Sequence, residues 1–395
     1  METMIAVRQA KEMIHAAVCP LKTSEIALAN ANGRVLATDM YSQLDIPAYP
    51  QSSMDGYALS FDSIGKTIGL QGEMAAGSSN DMTVASGMAV RIFTGAAVPA
   101  GADTVVVQEK SRVENGMLVI DEHPLKRGDN VRPVGSEIQR GALALKAGTR
   151  LSPASIGFLA GMGIDAVQVF DLPKVGILVT GNELCEPGKS LGYGQVYESN
   201  SYTLRAALSA MGIEHIQILH AKDDPAQLTE LLARLLREND MVLMTGGVSV
   251  GDYDFTMQAF QTCGVQKIFH KIKQKPGKPI LFGMQVSIPV FGLPGNPASV
   301  LTCFYQYVYP ALGLMQGMQI SLQSIEAPLA NDHKKPAGLT HFLKAIYDGH
   351  RVTLLTGQES YKLATFAQAN CLAVLPEQET EWKSGQSIQI HLLPY

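Results

Sequence analysis

Lys174-Val175-Gly176-Ile177-Leu178-Val179-Thr180-Gly181-Asn182-Glu183 decides the fold. From Lys174 to Thr180 the run is almost wholly aliphatic and too short for a helix, and it ends on a Thr-Gly turn. That is the pattern of a strand buried on both faces, running into a loop that carries a carboxylate. Outward from it, strands and helices alternate. Asn200 can cap a helix from Ser201 to Met211, closed by Gly212, and Ile213–Leu219 reads as strand. Pro225–Glu238 is a helix behind an Asp223-Asp224 start, and Asp240–Thr245 is strand. A helix near Asp254–Thr262 precedes strands at Val265–Ile272, Pro279–Phe282 and Ile288–Phe291, and Pro297 opens a last helix to about Tyr309. This βαβα order predicts a doubly wound, mostly parallel sheet with helices on both faces.

The flanks have another texture. From Leu21 to Gly148 short β runs dominate: Met88–Phe93, Thr104–Gln108, and Met117–Ile120 after an Asn115-Gly116 turn. Ser152-Pro153 caps a short helix to Met162, and β texture returns after Leu322 at His341–Tyr347, Arg351–Leu355, Leu372–Leu375 and Ser387–His391. The fold class is therefore α/β plus β. A length of 395 residues implies two to four domains.

Composition excludes several function classes. The formal net charge is −5 and no long Lys/Arg run occurs, against the clustered phosphate contacts of a nucleic-acid protein. Near the N-terminus Val7, Ala10, Ile14, Ala17 and Val18 share one helical face, while Arg8, Lys11 and Glu12 interrupt any export signal. No apolar stretch approaches the ~18 residues of a membrane span. Five scattered cysteines without a CxxC pair fit a reducing cytoplasm, and nine histidines without an HxH or HxxxH pair argue against a histidine-bound metal.

Ligands of open α/β sheets bind beyond the carboxyl ends of the strands. Three such ends carry notable loops: Thr180-Gly181-Asn182-Glu183; Thr245-Gly246-Gly247-Val248-Ser249-Val250-Gly251-Asp252-Tyr253-Asp254; and Gly292-Leu293-Pro294-Gly295-Asn296-Pro297. In the second, glycines let backbone amides approach an anion and Ser249 adds a hydroxyl. Asp252 and Asp254 make sense beside a phosphate if Mg²⁺ lies between, since that ion prefers carboxylate plus phosphate oxygens. The plainer alternative is a Gly-rich turn with an Asp helix cap. No Walker pattern and no GxGxxG follows.

Lys271, Lys273 and Lys275 alternate along an extended run and so share a face, while Lys275 and Lys278 flank a Pro276-Gly277 turn that could clamp a small oxyanion. The alternative is an edge strand kept soluble by lysines. Asp55-Gly56 within Ser53-Met54-Asp55-Gly56-Tyr57-Ala58 suits a type I′ hairpin turn, and Thr94-Gly95-Ala96 ends another β run with equal ambiguity.

Taken together and in order, Ser53–Ala58, Arg91–Ala96, Thr245–Asp254, Lys275–Pro279 and Gly292–Pro297 resemble the MoeA family of molybdopterin molybdenumtransferases and the corresponding domain of gephyrin. The resemblance spans nearly the whole chain. It implies a MogA-like domain at 2–21 and 169–321, a linker domain at 22–40 and 142–168, a β-rich domain at 41–141, and a barrel-like β domain at 322–395. It implies a homodimer with a shared active site, a MogA-like adenylyltransferase as a partner, and a cytoplasmic setting. The reaction would use Mg²⁺ to insert molybdate into adenylylated molybdopterin with release of AMP. Asp254 and Asp252 would hold the metal. Asp254, Glu183, Asp223, Lys275 and Lys278 would serve the chemistry, joined by Asp55 from the partner subunit. Thr94 of the same β domain would bind substrate, as would Thr180, Gly246, Gly247 and Ser249. Gly295, Asn296, Pro297 and Ser360 would complete that set.

Three departures from the family pattern stand out. Many members read Thr-Gly-Asp-Glu where this chain has Asn182 before Glu183. Glu137 stands nearest to an Asp that often follows Gly-Glu, and Leu339 follows Gly338 where Gly-Arg is frequent. The rival readings are a catalytically degenerate dimeric scaffold and a nucleotide-pyrophosphate hydrolase on the same fold, as in CinA-like proteins. Intact Ser249, Asp254, Lys275 and Lys278 oppose the first, and the extra β domains oppose the second.

Overall fold

The structure, a computed structural model, describes residues 4–78, 81–122, 124–247 and 255–394. It divides into two compact units: residues 1–25, 33–37 and 168–395 form one, and 26–32 and 38–167 the other.

The larger unit is built on a six-stranded sheet. Its elements run β1 (Val175–Thr180), α1 (Asn200–Ala210), β2 (Ile216–Ala221), α2 (Pro225–Glu238), β3 (Met241–Thr245), α3 (Phe255–Thr262), β4 (Gln266–His270), β5 (Leu281–Gln285), β6 (Ile288–Leu293) and α4 (Pro297–Cys303). The spatial order is β2-β1-β3-β6-β5-β4. Every residue of β1 and β3 is buried, because their successive side chains feed two cores. Ile177, Val179 and Leu243 pack with Leu204 and Leu208 of α1 and with Ala10 and Ile14 of the N-terminal helix Val7–Ala17. Leu178, Val242 and Met244 pack with Leu228, Leu232 and Leu235 of α2 and Phe260 of α3.

Pairings β1/β2, β1/β3 and β3/β6 are parallel, as expected, whereas β5 runs antiparallel to β6 and β4 antiparallel to β5. That reversal matters for the site. His270, the last residue of β4, and Gly292 of β6 both lie opposite Leu281, the first residue of β5. The lysine-rich segment before β5 therefore sits at the edge where the parallel strands end.

Several local expectations change. The run from Val265 to Ile272 is not one strand: Lys271 takes a left-handed φ of 69°, so β4 stops at His270 and the alternation of Lys271, Lys273 and Lys275 on one face is lost. Gln274–Lys275 instead pairs in parallel with Thr340–His341 of the C-terminal sheet. Asn200 does not cap α1 but is its first residue; the buried Glu198 carboxylate accepts from Ser201 N at 2.8 Å and Ser201 Oγ at 2.5 Å. By contrast Asp224 caps α2, accepting from Gln227 N at 2.7 Å. The last helix also runs on past Tyr309. A π-helical turn, Phe304–Val308, follows Cys303 and leads to Tyr309–Met315. Pro310 explains the wide turn, since it has no N–H for the carbonyl four residues earlier and its ring crowds that position.

The C-terminal sheet orders Gln274–Lys275, Thr340–Tyr347, Cys371–Leu375, Ser387–Leu392 and Ser324–Pro328, around a core that includes Trp382 and Ile390. In the smaller unit another six-stranded sheet contains Gly56–Leu59 between Met88–Ile92 and Thr104–Val107. This overturns the hairpin-turn reading of Asp55-Gly56. Gly56 pairs with Ile92 on one side and Val107 on the other, and a Cβ there would meet Val106 O at 1.9 Å. Asn115-Gly116 does form its expected turn, with φ of 50° and 78°.

Candidate active site

Two clefts open along the carboxyl edge of the central sheet. The larger, about 840 Å³, has the lysine turn (Lys275, Lys278) on one wall, Asn296 and Pro297 on another, and Ser360 and Leu339 from the C-terminal sheet on a third. The smaller, about 300 Å³, is lined by Thr180, Asp223, Gly246 and Gly247. Glu183 and Gly295 line both, so the clefts adjoin.

Register builds the smaller cleft. Thr180 lies opposite Ala221, which brings Asp223, two residues on, beside the end of β1. The Asp223 carboxylate accepts from Thr180 Oγ1 at 2.8 Å and from Asn182 N at 3.2 Å, and Asn182 Oδ1 accepts from Asp223 N at 3.3 Å. Asn182 thus ties the two strand ends together. Glu183 is different. It is exposed, and no hydrogen bond or ion pair to its carboxylate occurs among the described residues.

The glycines divide by cause. Gly246 and Gly247 have φ of 90° and 66°, and Cβ atoms there would meet Thr180 O at 2.1 Å and Thr256 Oγ1 at 2.6 Å. The chain itself demands them. At Gly295 a Cβ would meet, among the described residues, only Gly246 Cα, at 4.0 Å. No packing among the described residues requires that glycine, which leaves space at the cleft.

In the larger cleft Lys275 and Lys278 are exposed and have no ion-pair partner among the described residues. Their turn is held from below. Gln274, fully buried, donates through Nε2 to Pro276 O at 3.0 Å and Gly277 O at 3.2 Å, and the Tyr307 hydroxyl of the π-helical turn donates to its Oε1. Lys273 turns away into an ion pair with Glu377 at 3.0 Å. His341, opposite Lys275 in register, adds no charge: burial, then Lys335 and Lys275, push its imidazole down to about 4.

In the smaller unit Asp55 Oδ1 accepts from Thr94 N and Thr94 Oγ1, each at 2.7 Å. Those two bonds, with Arg91 nearby, hold the half-buried Asp55 carboxyl below the usual carboxylate range. Ser249, Asp252 and Asp254 lie outside the described residues.

Comparison with known proteins gives the arrangement a family. The chain is 36% identical to a molybdopterin molybdenumtransferase of Nostoc sp., over 94% of its own length and 89% of that protein. It belongs to the MoeA family. A molybdopterin molybdenumtransferase of Haemophilus influenzae is 34% identical over 99% of this chain and all of its own. The MoeA N-terminal region (domain I and II) matches residues 5–163, the "Probable molybdopterin binding domain" 176–313, and the MoeA C-terminal region (domain IV) 326–393. A crystal structure of the molybdopterin biosynthesis MoeA protein of Pyrococcus horikoshii superposes with a TM-score of 0.85 at 28% identity, covering 99% of this chain and 100% of that one.

Within this MoeA-family cleft the structure adds residues that the sequence did not assign to it. Asn200 Nδ2 donates to Thr245 Oγ1 and to Gly295 O, both at 2.8 Å, and so staples the end of β3 to the loop after β6. Glu198 and Gln274 also line the larger cleft. The only signal for them in the chain was polarity at positions flanked by buried strands and helices.

Proposed function

We propose that this chain is a molybdopterin molybdenumtransferase of molybdenum-cofactor synthesis. It takes adenylylated molybdopterin and molybdate, cleaves the phosphoanhydride to release AMP, and leaves the metal on the dithiolene. The observation that carries the reading is the joining of two unlike clefts at Glu183 and Gly295. One presents uncommitted lysines suited to a small oxyanion, and the other presents carboxylates and glycine amides suited to a metal-bridged pyrophosphate. Glu183 and Asp223 are oxygen donors of the kind Mg²⁺ prefers, so the described wall fits that ion. Asp252 and Asp254 would complete its holding, with Ser249 on the phosphate. When bound, Mg²⁺ supplies neutralisation of the pyrophosphate charge. The test is direct: incubate the purified chain with molybdopterin adenylate, Mg²⁺ and molybdate, then assay AMP and active cofactor. Absence of both products with folded protein overturns the reading.

The active species in this proposal is a homodimer in which Asp55 and Thr94 of one subunit serve the cleft of the other. Mixing Asp55→Ala chains with Asp254→Ala chains should restore part of the activity, because one composite site of each heterodimer carries no lesion. Heterodimers that form yet show no recovery would exclude sharing. A cytoplasmic setting and docking of a MogA-like adenylyltransferase belong to the same reading. Among the described residues no helix is long and apolar enough to cross a membrane.

Leu339 sets the molybdate requirement. It lines the larger cleft half-buried, where an Arg fork would bind an oxyanion more directionally than two lysines. Leu339→Arg should lower the molybdate concentration for half-maximal insertion about tenfold, equivalent to ~1.4 kcal/mol. A molybdate titration of cofactor formation decides it; an unmoved midpoint in a folded variant removes Leu339 from the account.

A further inference from the structure

The segment 357–362 places Gln358, Ser360 and Tyr361 on the wall of the larger cleft, yet it contains neither helix nor strand. One buried side chain meets it from behind. Lys344, in the strand Thr340–Tyr347, is 2% exposed. Its ammonium donates to Gly357 O at 2.9 Å, Lys362 O at 3.1 Å and Glu359 O at 3.2 Å. Three N–H donors meet three carbonyls of the same loop. The carboxylate of Glu359, the acid whose charge acts on Lys344, is paired with Lys362 at 3.0 Å. The Lys344 charge is therefore met by carbonyl dipoles. A second clasp sits on the backbone of the same residue: Lys344 N donates to Gln358 Oε1 at 3.0 Å, and Gln358 Nε2 donates back to Lys344 O at 2.8 Å.

On the cleft side the loop is fastened to the segment after β6. Asn296 Nδ2 donates to Ser360 Oγ at 2.8 Å, and Ala298 N donates to Ser360 O at 3.0 Å. The Ser360 oxygen is thus an acceptor, and its own proton has no protein acceptor among the described residues. That proton is available to an anion in the cleft that Lys275 and Lys278 line.

We infer that Lys344 is a positioning residue whose buried ammonium moulds the 357–362 loop so that the Ser360 hydroxyl donates to a tetrahedral oxyanion in the larger cleft. The oxyanion part rests on the proposed function, whereas the moulding of the loop does not. A neutral side chain of similar length takes the ammonium donor from Gly357 O and Lys362 O and leaves Glu359 O with Lys362 N alone, at 3.1 Å, so the loop must move to find water for the first two. Ser360 then leaves its place. The loss falls on oxyanion binding, because Lys344 itself touches no substrate.

The test is a double-mutant cycle in the full chain. Molybdate binding is measured by calorimetry for wild type, Lys344→Met, Ser360→Ala and the double variant. Lys344→Met and Ser360→Ala should each weaken binding about tenfold, and the double variant should be no weaker than Ser360→Ala alone. The half-saturating molybdate concentration should rise while kcat at saturation holds. Additive losses in the double variant overturn the proposal, since a merely destabilising change acts independently of Ser360. Should Lys344→Met fail to fold, Lys344→Gln, which can still donate to two carbonyls, carries the same cycle. Amide hydrogen exchange across 357–362 judges the loop without turnover. Unchanged protection in the variant overturns the moulding role whatever the enzyme does with molybdate. A wild-type chain that binds no molybdate overturns the oxyanion half together with the proposed function, and the exchange result still decides whether Lys344 shapes the loop.

Discussion

Glu183→Gln is expected to slow turnover by on the order of 10²-fold or more while leaving thermal stability unchanged. The reasoning is one of isolation. The Glu183 carboxylate lines both clefts and makes no hydrogen bond or ion pair among the described residues. Replacing it with an amide of the same shape therefore removes a charge and nothing that holds the fold. Asp223 offers no such clean experiment, because its two oxygens take Thr180 Oγ1 and Asn182 N; an Asn there would disturb the strand ends as well as the charge. Steady-state AMP release at saturating substrate and Mg²⁺, beside a melting curve, separates the two quantities. Equal rates for Gln and Glu at position 183 would exclude a role for its charge.

The second large effect belongs to the lysine turn. Hydrogen bonds to charged groups contribute about 1.5–3 kcal/mol each, so Lys275→Met or Lys278→Met should raise the half-saturating molybdate concentration by roughly 10- to 100-fold. Both side chains are exposed, so their attraction for a dianion is screened by salt. The wild-type requirement should climb with ionic strength, and that of a double Met variant should climb much less. A salt series of molybdate titrations reads both effects. Identical curves for parent and variant would mean that the lysines only keep an edge soluble. Tyr307 and Gln274 hold the backbone of this turn and not its charges, so the salt slope distinguishes their effects from those of the lysines.

Much of this architecture was legible in the chain. The aliphatic run before Thr180, the Asp224 start of α2 and the three loops at strand ends follow from local rules, and the clefts gather on those loops. Other features were not legible, for identifiable reasons. Strand direction leaves no mark in a short apolar run, and the reversal of β5 is made at Val286, which takes a φ of 56° without the Asn or Gly that usually marks such a turn. The fate of Asn200 was decided by tertiary partners on β3 and after β6, which outweigh the capping preference of an isolated helix start. Alternating lysines promised one face until the left-handed backbone at Lys271 broke the alternation. Asp55 was the reverse case. Locally it reads as half of a hairpin turn, and the strand partners of Gly56 on both sides, which no local pattern announces, decide otherwise.

The β5–β6 hairpin has a further meaning for how readiness of the site can be watched. Its first residue follows the lysine turn and its last precedes the Gly295-Asn296 loop, so one supersecondary unit carries both. Segments of this kind open as cooperative units, and their amide exchange reports the free energy of that opening. Phe282 and Phe291, paired across the hairpin at its inner end, would then act as a built-in gauge. Their amides lose protection in the same event that withdraws the cations and the glycine loop, so their exchange rate measures the fraction of molecules in which the cleft is assembled.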